Sequence, residues 1–567
     1  MKRTTLAALV LAATGAALLL GACGRKAAGP APTPFVTEDA RKAVSAIDAG
    51  FLSSRIAEFS SDAMEGRGTA TPGDAKARAW LAAQMKDIGL EPGGPDGSWE
   101  QPFDVVGITS KLPPQWTFEN AAKKKLSFKW LEEYVGSGGT QSPRAEFRNA
   151  EVVFVGYGIQ APEFQWDDIK GADLKGKVLV MLNSDPDWDP ALFGGTTRLY
   201  YGRWTYKYEQ AARLGAAAAI IIHTEPSAGY PFQVVQSGWS GENFEVPAGD
   251  EPRVQFRGWL TEDAARSLVD LGGQKLDDLV AAAKSRDFRP VSLGVKTSLA
   301  FENQIKKATT ANVAGLIRGS DPELSKEVVV YSAHHDHLGI GEPDSNGDRI
   351  YNGAVDNATG VVELLAIAKA VKSMPAPPRR SLLFLFVGAE EQGTLGSEFY
   401  AANPTFPPGR IAANINIDEG NIWGKAADVV FIGKGKSSLD QIVERYAQYQ
   451  GRIVKPDQFP DRGYFYRSDQ IAFAQLGVPA FYQHFSTDFR NRPPGWGKQQ
   501  IEAWEEHQYH QPSDQIEPGW NYDGMLEDLQ LSFYIGLEVA NADTMPAWNP
   551  GDEFEAARKA SLEALAK

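Results

Sequence analysis

Five polar side chains stand out in this chain: His334, Asp356, Glu391, Asp418 and His510. Each sits in its own short motif: AHHDHLG (333–339), NGAVDNATG (352–360), VGAEEQG (387–393), NINIDEG (414–420) and QYHQPSD (508–514). Imidazole nitrogens and carboxylate oxygens in this combination suit zinc. Two imidazoles and three carboxylates can hold two divalent ions if one carboxylate is shared, and two ions a few ångströms apart make a hydrolytic site. Taken singly, the motifs say little. A Glu-Glu pair after a strand is most often a solvated loop, a lone Asp is most often a cap, and a lone His is most often structural. Four of the seven histidines, however, fall inside the two His motifs, and the weight rests on the joint occurrence.

The elements that must position these residues are legible from periodicity. AHHDHLG follows the apolar run VVVYS (328–332), which reads as a buried strand entering a loop. Side chains two apart on an extended chain share a side. His334 is therefore expected to face the metals while Asp336 accepts its other ring N–H, an arrangement that fixes the tautomer. VGAEEQG likewise follows SLLFLFV (381–387), and its adjacent glutamates must point in different directions, one to metal and its neighbour to a bound water. With ANVAGLIRG and EVVVYSA as further strands and ATGVVELLAIAKAVKSM (358–374) as a long helix, residues 301–545 predict an α/β domain with a mostly parallel central sheet flanked by helices. Ligands in such sheets lie beyond the carboxyl ends of the strands. Upstream, GDAKARAWLAAQMKDIG (73–89) reads as an amphipathic helix stopped by Gly89. EVVFVGYGI (151–159), KGKVLVML (175–182) and AAAAIIIH (216–223) read as strands and YEQAARLG (208–215) as a helix, forming a second unit. His223 is expected to be structural. The stretch HFSTDFRNRPPGWG (484–497) is a candidate rim for the pocket.

A chain of 567 residues calls for more than one core. Its net charge of −15 argues against nucleic acid as a partner. The amino terminus has the form of a secretion signal: Lys2 and Arg3, then an apolar stretch from Leu6 to Leu20, then LGAC ending at Cys23, the single cysteine. Leu-Gly-Ala-Cys resembles a bacterial lipoprotein box, which implies cleavage before Cys23 and lipidation of that residue. Residues 23–45 then read as a flexible tether. Gly24 after the cysteine resembles the pattern of export to the periplasmic face of the outer membrane, so the expected membrane contact is by lipid anchor only.

Together the motifs resemble the twenty-eighth metallopeptidase family, the two-zinc aminopeptidases and their relatives. The resemblance covers most of residues 50–540 and includes SSDAMEGRG (60–68) and GYFYRSDQIAFAQLGVPAF (463–481). It implies two Zn²⁺, one held by His334 and Asp418 and the other by Glu391 and His510, with Asp356 bridging and the Asp356–Asn357 bond cis. It implies Glu390 as general base, Asp336 as the group orienting His334, and Tyr509 as a donor to the reacting carbonyl oxygen. The chain departs from the family pattern at His335, Glu419 and Gln470, none of them a ligand position. The resemblance also implies a β-rich protease-associated domain inserted at 131–300, between an amino-terminal part of the peptidase domain (46–130) and the zinc peptidase domain (301–545), with a peripheral tail at 546–567. The function implied is a zinc-dependent exopeptidase acting on peptides, foremost an aminopeptidase, with Glu419 a candidate partner for the substrate amine. Carboxypeptidase or dipeptidase action is the alternative, for which Arg467, Arg490 and Arg492 offer basic groups; a noncatalytic binding protein is a third. Oligomeric state is left open.

Overall fold

The computed structural model describes residues 36–565. The leader expected at 1–22, Cys23 and the first part of the expected tether lie outside the described residues.

The strand Val328–His334 is apolar at nearly every position and fully buried. It runs parallel to Ser381–Val387 on one side and to Ile411–Ile417 on the other. A strand covered on both faces has no reason to alternate polar with apolar, which is why these segments read as continuous runs. The two faces nevertheless enter different cores. Val329, Tyr331 and Ala333 pack with Leu382, Phe384 and Phe386 in the larger core, under the helices Gly360–Ser373 and Asp523–Asn541. Val328 and Val330 pack with Leu383, Leu385, Val387, Tyr400 and Phe473 on the opposite face. Ala480–His484 continues the parallel order beside Ile411–Ile417; Asp428–Ile432 then runs antiparallel to it. The result is a mixed α/β fold with a mostly parallel central sheet flanked by helices.

On the other side of Ser381–Val387 lies the antiparallel end of one long strand, Val291–Ile317, of 27 residues. Its first half alternates buried and exposed residues; its last eight are all buried. The first half pairs with Arg144–Phe154 and Gln115–Asn120 in a second, β-rich layer, and Glu100–Lys111 runs antiparallel along it from Glu302 to Val313. One strand thus belongs to both layers. The second layer has its own core, with Trp116, Phe118 and Phe128 beside Phe154, Val180, Ile222 and Phe256. Residues 115–129, placed by the sequence with the amino-terminal part of the peptidase domain, therefore pack in the second layer, because their aromatic side chains are buried there.

A second difference concerns the tether. Residues 38–45 are helical (Glu38–Ser45), capped by the Thr37 hydroxyl accepting the Ala40 N–H, and they bury Ala40, Ala43 and Val44. The Pro, Ala and Gly residues that suggested a flexible tether, GRKAAGPAPTP, precede this helix and lie outside the described residues; EDARKAVS has neither Pro nor Gly to oppose a helix. The helix Pro72–Ile88 ends as expected at Gly89, which is left-handed with φ 91°. Among the described residues no helix is long and apolar enough to cross a membrane.

The strand that ends in His334 is fixed from below by close contact with Asp523–Asn541. The Tyr331 hydroxyl donates to the Ser532 carbonyl at 3.1 Å, and a Cβ added at Gly536 would lie 1.7 Å from that hydroxyl oxygen. Gly536→Ala is expected to destabilise the protein by about 1–3 kcal/mol through overpacking. The check is the denaturant midpoint of the variant, which should fall without a change in slope.

Candidate metal centre

Three of the acid-bearing loops leave the carboxyl ends of adjacent parallel strands. His334 is the last residue of its strand, Glu390 and Glu391 follow Ser381–Val387, and Asp418 follows Ile411–Ile417. Asp356 comes from the turn leading into the helix Gly360–Ser373, and His510 follows the helix Trp496–His507. The Asp356–Asn357 bond is cis.

The structure brings all five expected ligands together. His334 Nε2 lies 3.2 Å from Asp356 Oδ1 and 3.0 Å from Asp418 Oδ1. His510 Nε2 lies 3.3 Å from Asp356 Oδ2 and 3.0 Å from Glu391 Oε2. The two oxygens of Asp356 therefore serve two separate groups. Ligands on one tetrahedral zinc with bonds of about 2.0–2.1 Å stand roughly 3.3 Å apart, so each group is close to the size of a metal shell.

The electrostatics also call for cations. Burial opposes the charge of every group, yet Asp418, Asp356 and Glu390 hold His334 well above the ordinary imidazole value. Against the same burial, Glu391 and Asp356 raise His510 to about 10. Glu391 is lowered to about 2, burial being overcome chiefly by the charge of His510. Glu390 behaves oppositely: burial, with the negative charges of Asp469, Glu391 and Asp418, pushes it well above the carboxylate range. Metal ions at the two groups would supply the positive charge that protonated imidazoles otherwise provide, and the donor set fits them.

Asp336 holds a different place from the one expected. His334 Nδ1 is 3.2 Å from the Asp336 main-chain carbonyl and 3.9 Å from its carboxylate. The carboxylate instead accepts the N–H groups of Glu390 (3.0 Å) and Glu391 (3.3 Å). It orients the glutamate loop, while the backbone of the same residue orients the histidine. The Tyr509 ring lies against His510, with ring centroids 3.9 Å apart and the planes tilted by 31°. Arg467 donates to its hydroxyl oxygen at 3.3 Å.

Several supports were present in the quoted motifs but carried no role in the sequence reading. Arg67, in SSDAMEGRG, is fully buried and donates to the carbonyls of His335, Phe59, Asn352 and Gly353. Asp514, in QYHQPSD, accepts the N–H groups of Val355 (3.0 Å) and Asp356 (3.1 Å). Ser468 donates to Asp418 Oδ2 at 2.6 Å. The signal in each case was a polar residue inside a motif already singled out. Glu419 lies 3.6 Å from His484 beside a small separate cavity, and the charges of Asp418 and Asp356 add to burial in pushing it well above the carboxylate range. His223 is buried with burial pulling it down to about 4, in keeping with a structural role.

The centre opens into a cavity of about 690 Å³. Glu390, Glu391, Arg467, Tyr509 and His510 line it together with Arg203, Tyr230, Trp239 and Phe244, the last packed with Ala389 and Leu395 beside the glutamate pair, while His334, Asp356 and Asp418 lie behind this lining. The stretch 484–497 contributes nothing to that lining. Of its arginines, Arg490 pairs with Glu527 at 3.3 Å and Arg492 lies over Trp496.

Residues 312–533 match the family described as Peptidase family M28. The chain is 26% identical over 256 residues to Aminopeptidase YwaD of Bacillus subtilis, covering 44% of this chain and 49% of that protein. It is 28% identical over 226 residues to a probable leucine aminopeptidase 2 of Aspergillus fumigatus, covering 38% and 39%. The chain thus spans half or less of the length of these curated relatives. In three dimensions it is similar to an aminopeptidase from Aneurinibacillus sp. strain AM-1, with a TM-score of 0.54 at 18% identity, covering 89% of this chain and 97% of that one. The matched segment contains both histidines, all three acids and the Glu390–Glu391 pair, so it is the metal-centre half of this protein that carries the likeness to peptidase family M28.

Proposed function

We propose that the protein is a two-zinc exopeptidase, foremost an aminopeptidase. The observation that carries this is the Asp356 carboxylate, one oxygen beside His334, which also meets Asp418, and the other beside His510, which also meets Glu391. The names of its relatives agree with that reading. When bound, two divalent ions at these groups supply an acidified water and a polarised carbonyl.

The protein's own residues account for the remaining steps. Glu390 lines the cavity beside the ligand Glu391, and a carboxylate there, unprotonated once the metals are bound, is placed to take a proton from water and return it to a leaving amine. The Asp336 carboxylate, by accepting the Glu390 and Glu391 N–H groups, keeps base and ligand in fixed relation. Arg467 occupies the Tyr509 oxygen as a donor, which leaves the phenolic proton free to turn to a carbonyl oxygen as negative charge develops there. Tyr230, Trp239 and Phe244 cover the site with apolar surface and limit water.

One observation favours a dipeptidase as the second reading. Arg203 and Arg467 both line the cavity, and among the described residues neither forms an ion pair with a carboxylate. Burial, and then the charge of Arg467, lower Arg203 to about 10. Two guanidiniums outside ion-pair distance of any carboxylate suit the free carboxylate of a short substrate.

Asp356→Ala is expected to deplete both metals and His334→Ala or His510→Ala mainly one, measured as metal content after gel filtration. Retention of two ions by Asp356→Ala would sink the bridging role. Glu390→Gln should keep both ions and lose about 10²–10⁴ in turnover; a variant that turns over normally removes Glu390 as the base. Free-amino, acetylated and carboxy-amidated dipeptides, assayed with and without chelator, decide between the two readings. Loss on acetylation alone selects the aminopeptidase. Loss on amidation, abolished together with the acid preference in Arg203→Gln, selects the dipeptidase.

A further inference from the structure

His337, the third histidine of AHHDHLG, has no part in the metal groups just described, yet it is 1% exposed and its ring faces them. Its Nδ1 lies 2.6 Å from Glu391 Oε1 and 3.9 Å from Asp356 Oδ2. The other oxygen of Glu391, Oε2, is the one 3.0 Å from His510 Nε2. The carboxylate is therefore held at both ends, one oxygen toward the His510 group and one on His337.

The ring has little freedom to do anything else. The His337 N–H donates to the Arg67 carbonyl at 3.3 Å, and the two loops meet in a short bridge between Gly68 and His337. The imidazole lies flat on Gly353, where an added Cβ would come within 2.6 Å of the ring, and Gly353 itself sits at φ 55°. Nε2 is buried without a hydrogen-bond partner. Packing fixes the plane, and the bond to Glu391 is the one strong polar contact the ring makes.

We propose that His337 is a positioning residue: its Nδ1–H donates to Glu391 Oε1, turning Oε2 to the metal on the His510 side. This rests on the two-metal reading above. The competing role, His337 as a ligand itself, is disfavoured by distance. Two atoms on one tetrahedral zinc stand roughly 3.3 Å apart, as the four ligand contacts of His334 and His510 nearly do at 3.0–3.3 Å. The 2.6 Å contact is too short for that and right for a charge-assisted hydrogen bond. Loss of such an outer contact typically weakens metal binding 10–100-fold.

The test is a metal titration, independent of turnover. Metal-free wild-type protein, His337→Ala and His337→Asn are titrated with Zn²⁺ against a chromophoric chelator, with unfolding of each metal-free form followed in parallel. Asn can place its amide N–H near the position of Nδ1 but is a poor zinc ligand. His337→Ala should weaken one of the two binding steps 10–100-fold and leave the other unchanged. The weakening should persist in a His334→Ala background, where the His510-side ion is the one retained. His337→Asn should restore most of the lost affinity. No change in either step, equal weakening of both, or an Asn variant as weak as Ala would each overturn the proposal, the last pointing to ligation or packing instead. A wild-type protein that takes up no zinc would overturn the two-metal reading, and this one with it, and the wild-type titration shows which has failed.

Discussion

The rest of the structure depends on one electrostatic constraint, the burial of many carboxylates in a small volume. Asp336, Asp356, Glu390, Glu391 and Asp469 crowd the end of the central sheet, almost all out of reach of water. Like charges in such a place raise one another's pKa unless cations intervene. The structure sorts them. Asp356 and Glu391 are held below the carboxylate range beside imidazoles, whereas Glu390, and Asp469 at about 7, are pushed up because burial dominates and neighbouring acids add to it. Acids of the same residue type a few ångströms apart are thus pushed in opposite directions by their surroundings, the condition under which neighbouring acids can take different duties.

Holding such a cluster demands rigid loops, and main-chain contacts provide much of the rigidity. Arg67 gathers carbonyls from the His335 and Asn352–Gly353 segments onto one guanidinium, and burial lowers it to about 10 while the surrounding acids work in the opposite sense. Asp514 performs the converse task, gathering the N–H groups of Val355 and Asp356. The amino-terminal signature, far from the ligands in sequence, is therefore part of the scaffold of the centre.

Most of the central sheet, and the five polar residues that gather at one end of it, were legible in the sequence because each signal was local. An apolar run followed by a polar motif is a strand followed by its loop, and the parallel sheet rule then puts the loops at one end. What escaped was non-local. Whether Asp336 offers its carboxylate or its carbonyl to His334 depends on where the Glu390–Glu391 backbone lies, across 54 residues of sequence. The burial of Trp116 and Phe118 in the second layer depends on pairing with Val295–Thr297, and short alternating strands carry no mark of their partner. The helix at 38–45 was hidden behind the Pro, Ala and Gly residues that precede it.

The long strand Val291–Ile317 has a mechanical consequence. A single strand that runs through both layers of one sheet is a beam, and here it joins the second layer, as a roof, to the layer that bears the His334 and Glu390–Glu391 loops. Swinging the roof away as a rigid body would require bending that beam against the twelve-residue ladder it forms with Glu100–Lys111. Such ladders resist shear across their hydrogen bonds. The stiff axis of the described fold therefore lies along this strand, which ties the spacing of the two layers to the length of one ladder.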